Sequence, residues 1–360
     1  MRLKKDLSEC LSAPLHVSID VTNKCMAKCL HCYNRSGILQ RDELNDKEMI
    51  DVFHQVADMK PHSVCFCGGE PLIRFPILIE GAKIFDAAGI PHVSMVSNGY
   101  LMTVEKAELL VKSGINMIQI SLDGAKAETH ERMRRIDGIF ERALNAMKYV
   151  NSAGGSLSIA FSPTKFNFQE FGDVVKLVTQ YKSLKIIRIQ PLMPIGSAIE
   201  NMKDIMPTEN QYRFICNYCL NFNKINKNKC PTMEWGDPID HLVRFNTLKF
   251  KQIPLLDVKA DGSLVVSPYL PIKVGNVRRY KLRDYWDNGI GKVWALPIVQ
   301  ELADALMCIE DMEFKNPKVP LIYYEQDLEI DVINEKPFEN PENFTLEKIV
   351  ERTKCQLGGI

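Results

Sequence analysis

Three cysteines stand close together near the start of the chain. Cys25, Cys29 and Cys32 lie within eight residues, separated by three residues and then by two. Three thiolates at this spacing can each bind one iron of a cubane iron–sulfur cluster, which a protein usually holds with four cysteines. A loop with three leaves one iron open, and an open coordination position is typical of a catalytic metal site. The competing interpretations are three buried thiols and a zinc knuckle, which needs a fourth ligand at knuckle-like spacing.

The composition of the 360-residue chain argues against several classes of protein. Lys plus Arg equals Asp plus Glu, at 45 each, which argues against an electrostatic nucleic-acid binder. No run of 18 apolar residues occurs, so no membrane span is expected, and the first residues lack the apolar stretch of a secretory signal. We therefore expect a cytoplasmic protein whose eleven cysteines are metal ligands, reactive thiols or core residues rather than disulfides.

From residue 15 to about 195 the sequence alternates strand-like and helix-like segments. Asn45 and Glu48 form a capping-box-like pair, which predicts the start of the first helix. The predicted strands are 15–21, 63–66, 92–96, 117–121, 156–161 and 185–190, and further helices are predicted over 75–88, 103–112, 140–150 and 168–181. Six strand–helix repeats imply right-handed crossovers, a parallel sheet and an α/β fold. In such folds, ligands bind at the carboxyl ends of the strands.

The alternation ends after residue 195. Thr208 with Gln211 predicts one more helix. Two short strands over 255–258 and 264–266, joined at Asp261-Gly262, predict a hairpin. We therefore place a domain boundary near residue 200.

Polar or glycine motifs follow the second, third and fourth predicted strands. They are Gly68-Gly69-Glu70-Pro71, Ser97-Asn98-Gly99 and Ser121-Leu-Asp123-Gly. Together with the cysteine loop, this order resembles the radical S-adenosylmethionine (radical SAM) enzymes over residues 15 to about 195. The resemblance implies a partial (β/α)6 TIM-like barrel and a [4Fe–4S] cluster on Cys25, Cys29 and Cys32, with SAM on the open iron. In such enzymes one electron cleaves SAM to a 5′-deoxyadenosyl radical, which abstracts a hydrogen from the substrate.

The resemblance also implies roles for residues around the methionine part of SAM. Gly68, Gly69 and Glu70 match the segment that receives the amino group, where glycines allow close approach and a carboxylate complements an ammonium. A plain strand-to-helix turn is the competing interpretation. The motif that contains Ser97 and Asn98 adds these two residues as cofactor-binding candidates.

Further candidates match positions near the carboxylate, adenine and ribose of SAM. Ser121 and Arg134 match residues that meet the carboxylate, and an arginine suits this task because of its forked donors. Arg132 and Arg135 are close alternatives on the same segment. His31 matches an aromatic position beside the adenine, where the family usually has Tyr or Phe; a solvated loop histidine is the competing interpretation. Leu192 would contact the adenine or belong to the core, and Asp123 would reach the ribose or cap the next helix.

Cys65 and Cys67 lie one residue apart on the second predicted strand, so both side chains point to the same face. Their nearness to Gly68 suggests a metal site. We predict instead two thiols buried in barrel packing, because a cysteine that is not in a disulfide behaves as a small apolar residue.

The second half contains the run 258–268 with Asp261-Gly262, then Gly275-Asn276-Val277, then the run 282–286 that ends at Trp286. These segments resemble the C-terminal extension called SPASM, or its shorter version, twitch. The family normally has a cysteine where this chain has Ser267, and after Trp286 only Cys308 and Cys355 remain. The extension's fold is therefore expected without its auxiliary clusters. The predicted organisation is an N-terminal segment (1–14), the radical SAM barrel (15–200), a smaller α+β SPASM/twitch-like domain (201–335) and a tail (336–360).

Four cysteines of the second half need separate treatment. An auxiliary four-thiolate site could use Cys216, Cys219, Cys230 and Cys308, although no such cluster is expected. The spacing of Cys216 and Cys219 also suits a helix stripe that faces the core. Cys230, Cys308 and Cys216 are candidate hydrogen donors, because radical epimerases use a cysteine to quench the substrate radical.

The leading hypothesis is an enzyme that modifies a ribosomally made peptide by cross-linking, epimerisation or a similar change. A small-molecule substrate, such as a sugar, nucleoside or cofactor precursor, is the second hypothesis, and a non-catalytic iron–sulfur protein is the third. The expected partners are the substrate and an external electron donor such as flavodoxin or ferredoxin, with no nucleic acid and no membrane. About fourteen residues precede the first strand, too few for a leader-binding domain.

Overall fold

The computed structural model describes residues 11–37, 42–193, 195–227, 229–236, 242–243, 254–308, 311, 316, 319 and 327–356. Contacts divide the chain into two compact units. The loop unit, which contains the cysteine loop, comprises Val21–Arg41 and Cys65–Pro238. The terminal unit comprises Met1–Asp20, Asp42–Val64 and Ile239–Ile360. The boundary expected near residue 200 stays a prediction, and these units divide the chain elsewhere.

Strands and helices alternate through the first half of the chain. The strands are β1 (His16–Thr22), β2 (Ser63–Gly68), β3 (His92–Ser97), β4 (Met117–Ser121), β5 (Ser156–Phe161), β6 (Leu184–Ile189), β7 (Thr232–Trp235), β8 (Leu255–Val258), β9 (Ser263–Ser267), β10 (Leu270–Asn276) and β11 (Leu328–Glu329). The helices are α1 (Asp46–Met59), α2 (Phe75–Ala87), α3 (Val104–Lys112), α4 (Ala127–Arg134), α5 (Ile139–Ser152), α6 (Phe171–Val178), α7 (Ala198–Ile205), α8 (Glu209–Ile225), α9 (Leu282–Asp287), α10 (Pro297–Asp304) and α11 (Leu346–Gln356).

Strands β2 to β7, which belong to the loop unit from Cys65 onward, lie side by side in sequence order. The strand pairs from β3 to β7 are parallel, with Ile120 opposite Ser97 and Ile159 opposite Ile120. The inward residues of these strands are fully buried, among them Ile118 and Phe161 at 0% exposure. The predicted α/β fold with a parallel sheet is confirmed, and the strand order is the one expected of a partial barrel.

Local sequence signals explain where several helices begin. At α1, the Asn45 side chain accepts hydrogen bonds from the backbone of Lys47 and Glu48, and the Glu48 carboxylate accepts from the Asn45 backbone at 2.8 Å. This is the predicted capping box. Thr208 forms the same arrangement with Gln211 at α8. Both predictions of helix starts are confirmed.

In the terminal unit the strands lie in the order β11, β10, β9, β8, β1. The β8–β9 pair is antiparallel and its turn contains Gly262 at φ +79°, so the predicted hairpin is confirmed. β1 and β8 pair in parallel, with His16 opposite Leu255. No helix among the described residues is long and apolar enough to cross a membrane.

Three elements of the loop unit were missed by the sequence patterns, namely α4, α7 and β7. Helix α4 has no continuous apolar stripe, since only His130, Met133 and Arg134 are buried on it. The four-residue strand β7 follows a polar stretch and is parallel to β6. Helix α4 matters most, because it carries one wall of the candidate site.

Candidate active site around the cysteine loop

The cysteine loop is fixed to the carboxyl end of α4. The backbone N–H groups of Lys28 and Leu30 donate to the carbonyls of Arg134 and Met133, at 3.2 and 3.0 Å. The last carbonyls of a helix have no hydrogen-bond partner inside the helix. These bonds therefore give partners both to the carbonyls at the end of α4 and to the N–H groups of the loop. The sequence pattern could not show this contact, because α4 lies about a hundred residues further along the chain.

A second segment holds the end of the loop. Gly196 has a φ of +63°, and a Cβ at this position would lie 2.4 Å from the Cys32 carbonyl oxygen and 2.3 Å from that of Tyr33. The next residue, Ser197, donates its N–H to the Cys32 carbonyl at 2.8 Å. Glycine is therefore required both for its backbone conformation and for the close approach.

Each of the three sulfur atoms faces at least one N–H donor. The donor–sulfur pairs are Asn98 Nδ2 with Cys25 at 3.7 Å, Arg134 Nη1 with Cys29 at 3.7 Å, and the Ser36 backbone N with Cys32 at 3.4 Å. Donors aimed at sulfur stabilise a thiolate, and a cationic donor does so most strongly. The three thiols also cluster with Ala27 and Ile139. This donor set fits a cluster held by three thiolates.

The protonation of these thiols depends on what they bind. Burial raises the pKa of Cys25 to about 12 and also raises the pKa of Cys29, where Arg134 opposes the rise. Without a bound cluster, both groups therefore remain thiols at neutral pH. Cysteine ligates metals as a thiolate, so cluster binding releases protons from this loop. The described residues contain no group of three or more His, Cys, Asp or Glu side chains that could hold a single ion; in a cubane, each cysteine binds a different iron.

Glu70 connects the ends of β2 and β3. Its carboxylate is fully buried and accepts hydrogen bonds from the Ser97 hydroxyl and the backbone N–H of Asn98, both at 2.8 Å, and of Leu72 at 3.2 Å. Burial raises the pKa of Glu70, and the three donors oppose that rise. Three predicted site residues are thus brought together by one carboxylate. The predicted contact of Glu70 with an ammonium group stays a prediction.

The glycines before Glu70 allow a close backbone contact. Gly68 ends β2 at φ +121°, and a Cβ on Gly69 would lie 2.2 Å from the carbonyl oxygen of Lys24. Gly69 also donates its N–H to the Thr22 carbonyl at 2.8 Å. The segment therefore packs directly against the backbone that leads into the cysteine loop.

Asp123 and Arg134 form a buried ion pair beside Cys29. The Arg134 Nε lies 2.7 Å from the Asp123 carboxylate, whose other oxygen accepts from the Ser162 backbone N–H at 2.9 Å. Burial raises the pKa of Asp123, but Arg134 outweighs this effect and holds that pKa below its usual value. Asp123 does not cap the next helix, because the residue at the N-cap of α4 is Lys126. That alternative is wrong.

The alternatives to Arg134 face elsewhere. The Arg132 guanidinium lies 4.2 Å from the centroid of the Phe166 ring, and Arg135 ends α4 at φ +53° with an exposed side chain. Arg134 is the arginine of this segment that contacts the cysteine loop through its side chain. Its predicted contact with a carboxylate of SAM stays a prediction.

Two neutral histidines lie near this ion pair. Burial lowers the pKa of His31 to about 4 and of His130 to about 3. His31 is therefore not a solvated loop histidine, since its Nδ1 is buried without a hydrogen-bond partner among the described residues. His130, which was missed, accepts the Asp123 backbone N–H on Nδ1 at 2.9 Å, so Nε2 carries the ring proton. The sequence could have indicated His130, because residues four apart on a helix lie on the same face and His130 precedes Arg134 by four residues.

Ser121 and Leu192 are both buried near the site. Ser121 ends β4 at 7% exposure, and Leu192 packs with Leu30, Met133 and Ile205. Leu192 is thus a core residue that touches the cysteine loop through Leu30. A contact with adenine stays a prediction for Leu192.

The remaining cysteines are distributed over both units. Cys216 and Cys219 lie on α8, half-buried and buried, and burial raises the pKa of Cys219 to about 12. Cys230 is exposed, as is Cys308 in the terminal unit, where the Cys308 thiol donates to the Asp311 carboxylate at 3.3 Å. Their predicted roles as hydrogen donors or auxiliary ligands stay predictions.

Cys65 and Cys67 do not match the prediction of buried thiols. Both side chains are half-buried. The strand residues Val64 and Phe66 are the buried ones, with 0% exposure. The alternation of faces was predicted correctly, but the buried face was assigned to the wrong pair.

A family model described as the radical SAM superfamily matches residues 19–178. This span contains the cysteine loop, α4 and the polar ends of β2, β3 and β4. Residues 19–178 are a radical SAM domain. The family uses a [4Fe–4S] cluster and SAM, which confirms the predicted cofactors. The expectation of an enzyme is confirmed at the level of the superfamily.

Two curated relatives extend the radical SAM match. The chain is 26% identical over 300 residues to an AdoMet-dependent heme synthase from Methanosarcina barkeri, covering 77% of this chain and 83% of that protein. It is 30% identical over 215 residues to the mycofactocin maturase MftC from Mycolicibacterium smegmatis, covering 59% of this chain and 53% of that protein. The chain therefore spans about half the length of the maturase.

The fold is shared with a solved structure over nearly the whole chain. That structure is anSMEcpe with bound AdoMet and the Cp18Cys peptide, with a TM-score of 0.60, 16% identity, and coverage of 95% of this chain and 99% of that chain. The likeness confirms the predicted fold, a partial barrel with a C-terminal extension.

Proposed function

We propose that the protein is a radical SAM enzyme that abstracts a hydrogen from a ribosomally made peptide and so modifies it. The observation that carries the catalytic part is the cysteine loop with at least one N–H donor on each sulfur. The chemistry that a [4Fe–4S] cluster would supply there is an electron for the reductive cleavage of SAM to methionine and a 5′-deoxyadenosyl radical. Cys25, Cys29 and Cys32 would hold three irons, which leaves the fourth for SAM.

The residues around the loop suit the charged groups of SAM. Arg134 has five N–H donors, and its contacts among the described residues, to Asp123 and Cys29, use two of them. The others are available for the carboxylate of SAM, with Ser121 as a second donor. The segment Gly68-Gly69-Glu70 would receive the amino group, and the buried Glu70 carboxylate fixes the position of this segment through its bonds to Ser97 and Asn98.

Neutral and apolar groups suit the nucleoside. His31 is neutral because burial lowers its pKa to about 4, so it can lie against an adenine without a charge penalty. Leu192 supplies an apolar surface next to Leu30 of the loop. Asp123 is held by Arg134 and the Ser162 backbone. Only the remaining lone pairs of its carboxylate could therefore accept a hydrogen bond from a ribose hydroxyl.

The peptide substrate is supported by the relatives rather than by a contact in this chain. The 30% identical relative is named a maturase, and the solved structure with the same fold holds a peptide together with AdoMet. A cytoplasmic location and an external electron donor such as flavodoxin or ferredoxin belong to the same proposal.

The test is reductive cleavage of SAM. After anaerobic reconstitution, the protein should contain about four irons per chain, and dithionite should drive conversion of SAM to 5′-deoxyadenosine. Addition of the peptide encoded by a short neighbouring gene should raise the rate and change the peptide mass. Fully loaded protein that forms no 5′-deoxyadenosine would overturn the proposal.

A small molecule is the second candidate substrate. The observation that favours it is the heme synthase relative, which matches 300 residues and extends well beyond residues 19–178. A porphyrin precursor should then raise 5′-deoxyadenosine formation, while neighbouring peptides should not. When a candidate substrate is deuterated at the carbon that loses its hydrogen, the deuterium should appear in 5′-deoxyadenosine only if that candidate is the true substrate.

A further inference from the structure

Cys65 and Cys67 place two thiols in direct contact on β2. Their Sγ atoms lie 3.3 Å apart, with the thiol of Cys67 directed at the sulfur of Cys65. No disulfide joins them. The proposed function gives neither residue a role, although β2 leads directly into Gly68, Gly69 and Glu70.

Both thiols lie on the more accessible face of the strand. Val64 and Phe66 point to the opposite face at 0% exposure, and the Phe66 ring packs against Phe85 of α2 with centroids 5.6 Å apart. The two cysteines are half-buried. Because side chains alternate along a strand, one face meets the helix layer and the other presents both sulfur atoms together.

A disulfide between these positions requires the strand to bend locally, because i and i+2 Cβ atoms in a strand lie about as far apart as the Cα atoms, whereas a disulfide holds its Cβ atoms at about 3.8 Å. Residues two apart in a strand have Cα atoms about 6.6 Å apart. This separation is within the range found in disulfides, at its long end. A disulfide formed under such constraint is more easily reduced than a relaxed one, which is typical of regulatory or catalytic pairs.

We propose that Cys65 and Cys67 form a redox-active dithiol that exchanges with low-molecular-weight disulfides. One thiolate attacks a sulfur of the external disulfide, which gives a mixed disulfide and releases one external thiol. The second thiolate attacks the mixed disulfide, which forms the Cys65–Cys67 bond and releases the other external thiol. Two electrons pass to the external disulfide, and the two protons lost by the cysteines end on the two released thiols.

Closure of this bond should affect the segment that follows β2. Gly69 has no room to move toward the loop, since even a Cβ there would lie 2.2 Å from the Lys24 carbonyl oxygen. A shift of the strand end would therefore disturb the contact that positions Glu70. This consequence rests on the proposed function: oxidised protein should bind SAM about tenfold more weakly than reduced protein.

The site is tested with the full, cluster-loaded chain in anaerobic glutathione buffers. Trypsin, which does not cleave before proline, releases residues 48–74 with Cys65 and Cys67 as the only cysteines. As the buffer becomes more oxidising, acid trapping and alkylation should show this peptide changing from a doubly alkylated form to a disulfide form. The disulfide form is two hydrogens lighter than the dithiol and carries no alkyl group. Wild-type peptide that stays doubly alkylated, or stops as a glutathione mixed disulfide, would overturn the proposal.

Variants separate the pair from general oxidation. Cys65→Ser and Cys67→Ser should each abolish the internal disulfide and accumulate the glutathione adduct on the remaining thiol. Cys219→Ser, which removes a buried cysteine of the same unit, should leave the exchange unchanged. Internal disulfide formation at 65 and 67 that also disappears in Cys219→Ser would contradict the assignment.

Equilibrium dialysis with SAM tests the consequence. Reduced wild type should bind SAM about tenfold more tightly than the oxidised form, and Cys67→Ser should lose this difference. Equal affinities would overturn the link to SAM. Reduced protein that binds no SAM would instead count against the proposed function, while the peptide masses decide the dithiol independently.

Discussion

The cysteines of the loop and those of the second half differ in what faces their sulfur atoms. In the loop, each sulfur receives an N–H donor, and one of these donors belongs to the cationic Arg134. In the terminal unit, Cys308 has the Asp311 carboxylate 3.3 Å from its sulfur, which favours the protonated thiol. Burial raises the pKa of Cys219 on α8 to about 12, as it does for Cys25 of the loop, so burial alone does not separate the two groups. The comparison indicates that surroundings, more than the number of cysteines, decide where thiolates and a cluster are stable.

The largest expected effect is on the cluster itself. Cys29→Ala should lower the iron content of reconstituted protein from about four per chain to below about one and abolish 5′-deoxyadenosine formation, because one of three ligands is lost. Iron analysis and chromatography of the SAM products provide the measurements. Cys219→Ala, an equally buried cysteine of the same unit, is the control and should retain both properties. Loss of iron in the control would break the comparison.

The next effect is on stability. Arg134→Met leaves the Asp123 carboxylate buried and unpaired, which should lower the free energy of unfolding by about 3–5 kcal/mol. Urea denaturation followed by circular dichroism measures this change. Arg132→Met on the same helix is the control and should cost less than about 1 kcal/mol, the contribution of an exposed cation–π contact.

The same ion pair permits a double-mutant test. Adding Asp123→Asn to Arg134→Met removes the buried charge and should restore roughly half of the lost stability or more. If Arg134→Met alone were neutral, the ion pair would not stabilise the wall of the site. The position of the Arg134 guanidinium beside Cys29 would then have to depend on contacts other than the one with Asp123.

A smaller effect is expected on the reduction potential. Asn98→Ala removes the side-chain donor to Cys25 and should lower the cluster potential, since hydrogen bonds to sulfur favour the reduced, more negative state. A loss of about 1 kcal/mol corresponds to roughly 40 mV for one electron. Potentiometric titration monitored by electron paramagnetic resonance measures it. Asn201→Ala, whose side chain donates to the Leu30 carbonyl rather than to sulfur, should leave the potential unchanged.

The smallest effect is expected in the second half. Cys308→Ala and Cys230→Ala should leave iron content and SAM cleavage at wild-type levels, because both thiols are exposed, whereas those of the loop are buried or half-buried. If the wild type held seven or eight irons per chain and either substitution lowered that number, the protein would have an auxiliary cluster. The contrast between the cysteines of the loop and those of the second half would then disappear.

Much of the fold could be predicted because its signals are local. The limits of β4 and β5 agree with the apolar runs, and the capping boxes at Asn45 and Thr208 mark helix starts. The spacing of Cys25, Cys29 and Cys32 and the glycines at 68 and 69 were likewise visible as patterns. Helix α4 was missed because its buried residues include His130 and Arg134, which carry no hydrophobic signal.

By itself, the sequence determined the first six strands, most of the helices between them, the cysteine loop and the motifs at the strand ends. These depend on side-chain periodicity, capping and residue type within a few positions. Only the tertiary structure decided which groups meet. It directs Asn98 and Arg134 at sulfur atoms 73 and 105 residues away, buries Glu70 among donors from two segments, and leaves Cys65 and Cys67 half-buried and in contact. Burial and hydrogen bonding between distant segments arise only when the sheet and helices pack.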